Sequence, residues 1–227
     1  MELIMTNRIS IIGNINKEGI TIDEQKGIAK FSIAVSQSKD EEAQWYNLTY
    51  FLNKNGEDKT LDTIKNIQSL EKSPQVKIDG YLSYNNVEKQ NDYGKKEIKT
   101  YTNLIANNLT INDQFELPKA KVKLKGTIHK SLEDKESVAI DENGSESKKG
   151  YSHFTLKTAD KNGEYEKFHF ITSTNIDKID ILSKGKIGDS IEVEGRLSPK
   201  GSIKITKECP IEINGKKIIQ KDKENDR

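Results

Sequence analysis

Residues 44–52 read QWYNLTYFL. Successive side chains of a strand point to opposite faces, so Trp45, Asn47, Thr49 and Phe51 share one face. Tyr46, Leu48, Tyr50 and Leu52 share the other, and Leu48 with Leu52 marks it as the core side. Trp45 and Phe51 are then expected to face outward, an uncommon place for rings of that size. Exposed flat rings stack on nucleobases, worth roughly 1–3 kcal/mol per base, while nearby cations take the phosphates. The bland alternative is a sheet covered on both faces, with both rings buried.

Further candidates lie on neighbouring segments. Tyr84 and Tyr101, with Tyr93, sit on or beside two later strands and the loop between them. Arg8 and Lys30 are the cations of the first two strands, and Lys77, Lys95, Lys96 and Lys99 those of the later ones. Surface tyrosines are common, and lysines at strand edges also guard against aggregation. In the second half, Tyr151, His153, Tyr165, Phe168 and Phe170 occupy corresponding places, without tryptophan. Lys123, Lys125, Lys157, Lys167, Arg196, Lys200 and Lys204 make a denser basic set there. The expected contact set is Trp45, Phe51, Tyr84, Tyr101, Arg8, Lys30, Lys77, Lys99, Phe168 and Arg196. His129, His153 and His169 are isolated, and alternation on strands explains them better than metal ligation. No metal, cofactor or catalytic set is expected.

The elements that must position these residues follow from periodicity. Period-two alternation marks strands at 7–15, 28–37 and 44–52. Leu61, Ile64, Ile67 and Leu70 then recur at helical spacing, with Asp58 and Thr60 as capping residues and Ser73-Pro74 as a stop. Strands resume at 76–84 and, after a polar loop, at 97–112. Three strands, a helix and two strands is the order of an OB barrel.

The order repeats. Gly126 stands where Gly13 stood, Phe154 answers Phe31, and Gly195 answers Gly80. Ile176, Ile179 and Leu182 mark a shorter helix ended by Gly185, and CPIEIN (209–214) echoes NLTIN (108–112). The expected fold is all-β with short helices, two tandem OB-fold five-stranded barrels. The expected division is 1–116 for the first barrel, 119–214 for the second, and a charged, disordered tail at 215–227.

Composition agrees with thin-cored domains. Hydrophobic residues make up 33% and charged residues 32% of the 227. The formal net charge is +1, so any polyanion must be met by a local groove rather than by bulk charge. A single cysteine, Cys209, excludes an intrachain disulfide. Residues 1–5 are too short and acidic for a secretory signal, and no apolar run reaches the roughly 18 residues of a membrane helix. A soluble, cytoplasmic protein with no membrane contact is expected.

Together NRISIIGNI, IAKFSIAVSQ, QWYNLTYF and VKIDGYLSYN resemble the bacterial single-stranded DNA-binding protein family, well over residues 7–112 and weakly over 120–214. By position the resemblance puts Trp45 and Phe51 among the family's base-stacking aromatics, with Tyr84 near another. It implies a homodimer presenting four barrels, as in family members with two barrels per chain. Two departures stand out. Lys39 occupies a position often aromatic in the family. The chain ends Glu224-Asn225-Asp226-Arg227, without the acidic tip that recruits replication and repair enzymes.

The expected function is non-catalytic binding and protection of single-stranded DNA in replication, recombination, repair or DNA transfer, with little sequence preference. The rival readings are an OB-fold adaptor for proteins or RNA, and a nuclease. Scattered acids and the lack of a legible catalytic motif argue against an enzyme.

Overall fold

The computed structural model describes residues 6–36, 42–53, 56–90, 96–114, 116–140, 146–159, 166–173, 175–206 and 209–217. These fall into two compact units. Among the described residues, one holds Asn7–Val122 with Leu197–Gly201, and the other holds Thr6, Lys123–Arg196 and 202–217.

The first unit runs β1 (Thr6–Ile15), a 3-10 turn at Lys17–Gly19, β2 (Thr21–Asp23), β3 (Ile28–Val35), β4 (Gln44–Phe51), α1 (Lys59–Ser69), β5 (Gln75–Gln90) and β6 (Lys96–Ile111). Strand β1 pairs with both β3 and β5, β3 with β4, and β5 with β6. A parallel pairing of β4 with β6 closes the ring. Five strands in that order, with the helix between the third and fourth, form an OB barrel. Closure leaves no open edge in the ring, and β2 continues outward from β3.

Alternation fills this barrel. Ile9, Ile11, Phe31, Ile33, Tyr46, Leu48, Ile78 and Leu82 are all buried. Each fully buried side chain of that size contributes about 1.5–3 kcal/mol. Helix α1 packs against β6 and buries Ile64 and Ile67. It stops at Ser69, four residues short of Ser73, because Leu70 turns extended while its N–H bonds the Ile67 carbonyl.

The second unit is built from the rest of β7 (Lys119–Ile140), β8 (Glu146–Ala159), β9 (Glu166–Ser173), α2 (Ile176–Leu182), β10 (Ser190–Leu197), β11 (Ile203–Ile205), β12 (Ile211–Ile213) and β13 (Lys216–Lys217). Strands β7, β8, β9, β11 and β10 pair in succession, and β10 returns to β7. The β9–β11 contact is parallel, like β4–β6. This ring is the second OB barrel, again with its helix between third and fourth strands.

The repeat holds residue by residue. Gly13 lies beneath the Ala34 carbonyl and Gly126 beneath the Lys157 carbonyl, where an added Cβ would collide. Ala34 lies three residues after Phe31, and Lys157 three after Phe154. The pairings Asn14↔Ala34 and Thr127↔Lys157 match as well. Glycine is required here for closeness of approach between strands, and other side chains are excluded by the carbonyl.

Three expectations need correction. The polar stretch after Tyr84 is not a loop at its start, because β5 continues to Gln90 in register with β6 down to Lys96. The closing element of the second barrel is divided in two. CPIEIN supplies β12, paired with β10, while the short IKI of β11 makes the parallel contact. Residues 215–217 are not part of a disordered tail. Asn214 and Gly215 both have positive φ, 52° and 74°, and turn the chain so that β13 pairs with β12. Residues 218–227 lie outside the described set.

Asp58 ties α1 to β4. Its Oδ1 accepts from the Leu61 amide at 2.9 Å and from the Tyr50 hydroxyl at 2.6 Å, and its Oδ2 accepts from the Asn53 amide at 2.8 Å. Burial pushes its pKa up, but the Tyr50 and amide hydrogen bonds outweigh burial and hold it below the ordinary value. Burial, then the Asp58 hydrogen bond, pushes the Tyr50 hydroxyl up to about 12. Asp58→Ala should therefore cost about 1–2 kcal/mol in a urea melt at pH 7. A depressed folded pKa gives stability that is complete above the unfolded value, near pH 4, and is lost as pH falls through the folded one. The difference between Asp58→Ala and the parent should shrink in acid over that range.

Candidate nucleic-acid interface

The outer wall of the first barrel is built on β3 and β4. Register places Trp45 opposite Ala34, Asn47 opposite Ser32, Thr49 opposite Lys30 and Phe51 opposite Ile28. All eight lie on the face opposite to Phe31, Ile33, Tyr46 and Leu48. Trp45 is 51% exposed and Phe51 57%, whereas Tyr46 and Leu48 are sealed inside. The burial of both rings that a doubly covered sheet would require is absent. Desolvation pushes the Tyr46 hydroxyl up to about 12, so this inward neighbour of Trp45 stays neutral.

Tyr101 joins the same wall. Ile105 pairs with Thr49 across the parallel β4–β6 contact, and Tyr101 shares its parity over a regular stretch. Tyr101 is 43% exposed. A groove of about 430 Å³ runs through this unit, and its lining includes Lys30, Ser32, Asn47, Thr49, Thr102 and Asn103. That size falls within the range of about 300–1,000 Å³ typical of small-molecule sites.

Other expected residues go elsewhere. Tyr84 pairs with Thr102 and shares parity with Leu82, so it belongs to the inward face and is half-buried. Burial raises its hydroxyl pKa. Tyr81 holds the outward place on β5, opposite Ile105. The alternation Val76, Ile78, Leu82, Tyr84 carries this distinction.

Lys77 also falls outside the set. It pairs with Thr110, nine residues along β6 from Tyr101, or about 30 Å at strand rise. Its charge acts instead on Glu116, whose carboxyl is held low chiefly by the Lys119 hydrogen bond, with Lys77 contributing.

Arg8 is exposed on β1, one step beyond the Ile9↔Gly80 pair and so level with Tyr81. Asn7 fixes that register, donating to the Leu82 carbonyl at 2.8 Å and accepting from its amide at 3.1 Å. Lys30 is exposed on the groove. The side chains of Lys99 and Phe168 lie outside the described residues, as do Tyr93 and Lys95 entirely.

In the second barrel Phe168 pairs with Lys157, as Trp45 pairs with Ala34. Its backbone position is thus the equivalent of Trp45. Arg196 is exposed, one residue after Gly195 as Tyr81 follows Gly80. The expected basic set is partly neutralised. Lys123 and Lys125 lie 2.5 and 3.8 Å from the two carboxylate oxygens of Glu192. The Glu192 hydrogen bond, against some desolvation, raises the Lys123 pKa, with Glu194 and Glu212 adding to it. His169 is fully buried, its Nε2 2.8 Å from the Thr158 hydroxyl. Among the described residues no cluster of three or more His, Cys, Asp or Glu forms a metal site, and no helix is long and apolar enough to cross a membrane.

Comparison with known proteins adds one positive finding. No family model and no curated protein matches this chain. Among solved structures, a deletion variant of the single-stranded DNA-binding protein from Thermus aquaticus is similar over 97% of this chain and 98% of its own, with a TM-score of 0.59 at 14% identity. The mitochondrial single-stranded DNA-binding protein Rim1 of S. cerevisiae is similar over 49% of this chain and 96% of its own, with a TM-score of 0.32 at 25% identity. The first likeness shows that the fold of the whole chain is shared with that protein.

Trp45 is the single tryptophan, so intrinsic emission reports this wall alone. Without ligand, its fluorescence should be quenched by acrylamide nearly as well as that of a free indole, whereas a core tryptophan resists quenching. Strong protection would contradict the exposed geometry.

Proposed function

We propose that the chain binds and protects single-stranded DNA without catalysis, on the outer wall of the first barrel. Trp45 and Phe51 stack on bases, Tyr101 extends the track, and Lys30 and Arg8 meet phosphates. The observation that carries this reading is the pair of half-exposed rings on one face of β4, beside a cation with no carboxylate partner among the described residues. Exposed rings contribute little to the fold, and such a display suits a sequence-tolerant stacking surface. The shared fold of the Thermus protein, whose own name records single-stranded DNA binding, supports the same choice of ligand.

Phe168, at the backbone position equivalent to Trp45, and Arg196, in the place of Tyr81, give the second barrel contacts of its own for the strand. The working assembly is a homodimer with four barrels, and its setting is replication, recombination, repair or DNA transfer. The barrels correspond to residues 1–116 and 119–214. No cofactor is used, and the protein acts in the cytoplasm.

Titration with a labelled thymidine oligomer tests the proposal. Binding should quench Trp45 and weaken as salt rises. Trp45→Ala, followed by anisotropy of the labelled strand, should lower affinity about 5- to 150-fold, equivalent to the roughly 1–3 kcal/mol of one stacked base. Its urea midpoint should be unchanged. Lys30→Ala should reduce the slope of log affinity against log salt by about 0.7. A protein-binding adaptor would show neither quenching nor salt dependence, and tighter binding of matched RNA would make RNA the ligand.

A further inference from the structure

The first unit takes in a short piece of chain from far along the sequence. Residues Leu197–Gly201, between β10 and β11, belong to it together with Asn7–Val122. They read Leu-Ser-Pro-Lys-Gly, and the Gly201 amide donates to the Ser198 carbonyl at 2.9 Å. That bond closes a four-residue turn with proline second and glycine last, the residues such turns favour. Three contacts pin it to the first barrel. The Tyr46 hydroxyl donates to the Leu197 carbonyl at 2.7 Å in a buried position. Pro199 lines the groove together with Lys30, Thr49 and Thr102. Gly201 packs so closely on the Thr102 side chain that an added Cβ would collide with it, and its φ of 80° favours glycine in any case.

Lys200 is the remaining member of the turn. It is exposed, and its side chain has no hydrogen bond or ion pair among the described residues. Its α-carbon lies about 3.8 Å from those of Pro199 and Gly201, the two residues that touch the wall. A fixed backbone thus carries an exposed ammonium at the rim of the groove, on a flexible four-carbon stem.

We infer that Lys200 is a phosphate contact of the first barrel's site, held there by the turn from Ser198 to Gly201. The inference rests on the single-stranded DNA reading above and adds a residue to that site. Trp45 and Phe51 lie about 20 Å apart along β4, so a strand stacked on both carries several phosphates past the wall. Lys30, opposite Thr49, serves the Phe51 end. The turn meets the barrel at Tyr46 and Thr102, the chain neighbours of Trp45 and Tyr101. Lys200 therefore supplies a cation at the other end, where two of the exposed rings stand.

Anisotropy titrations of a labelled thymidine oligomer against the full chain, at several salt concentrations, test this contact. Lys200→Ala should reduce the slope of log affinity against log salt by about 0.7. Lys200→Arg should keep the parent slope. Gly201→Ala moves the turn off Thr102 while sparing the lysine, and it should lose the same slope. Adding Lys200→Ala to it should remove nothing further. Lys77→Ala deletes an equal charge about 30 Å along β6 from Tyr101, and should leave the slope unchanged.

Salt-dependent binding by the parent, with the same slope in Lys200→Ala, overturns the contact and leaves single-stranded DNA binding standing. An equal loss of slope in Lys77→Ala shows an effect of bulk charge, and overturns it too. A folded Gly201→Ala that keeps the parent slope overturns the holding role of the turn. Should circular dichroism show Gly201→Ala unfolded, the two Lys200 variants decide alone, since that exposed side chain has no part in the core. A parent that binds no oligomer removes the proposed function and this inference with it.

Discussion

Closure of each sheet into a ring is the constraint on which the rest of this molecule depends. Once β4 runs beside β6, and β9 beside β11, each ring encloses a filled interior, and β3 and β4 keep an outward face that is partly in solvent. The interior is then committed to Ile, Leu, Val and Phe, and selection for a ligand can act on the outer face alone. Gly13 and Gly126 are the local expression of closure. Each lets its strand approach a neighbouring carbonyl more closely than any side chain would allow.

Parity explains what was legible in the sequence and what was not. Trp45 and Phe51 were readable because QWYNLTYF alternates without a break, and β3 opposes it pair by pair. Tyr84 was named from its place on the later strand without regard to its phase, and the polar residues after it resemble a loop. In fact the strand continues, and Tyr84 stays in phase with Leu82 on the inner side. Lys77 was named as a cation of the later strands, and the pairing of those strands places it near Glu116, about 30 Å along β6 from Tyr101. The β11 strand is too short for alternation to reveal it, since three residues give one period and a half. The pairing of Lys123 and Lys125 with Glu192 joins residues nearly seventy positions apart, and no local pattern encodes it.

The two barrels share a plan and have diverged on their surfaces. The glycine equivalence places Glu192 where the first barrel has Lys77, and Lys125 where it has Ile12. Differences at these two positions together give the second barrel a cation on β7 paired with an anion on β10. Paired exposed charges contribute about 0–1 kcal/mol to stability, yet they remove net potential from the wall. The second barrel carries many basic residues in its sequence and a compensated surface at this wall. Counting lysines therefore overstates its attraction for a polyanion.

Local arrangement matters all the more because bulk charge is so small. A formal net charge of +1 steers nothing over distance. At physiological salt, fields beyond about 8 Å are screened, so only cations within reach of a bound strand count. Under the proposed reading Lys30 meets that condition, standing opposite Thr49 and two positions from Phe51 on the same face. A surface with few such cations must draw most of its affinity from ring faces and hydrogen bonds, which salt affects weakly. Under the proposed reading, this makes the chemistry of the groove floor more influential than it would be on a strongly basic barrel.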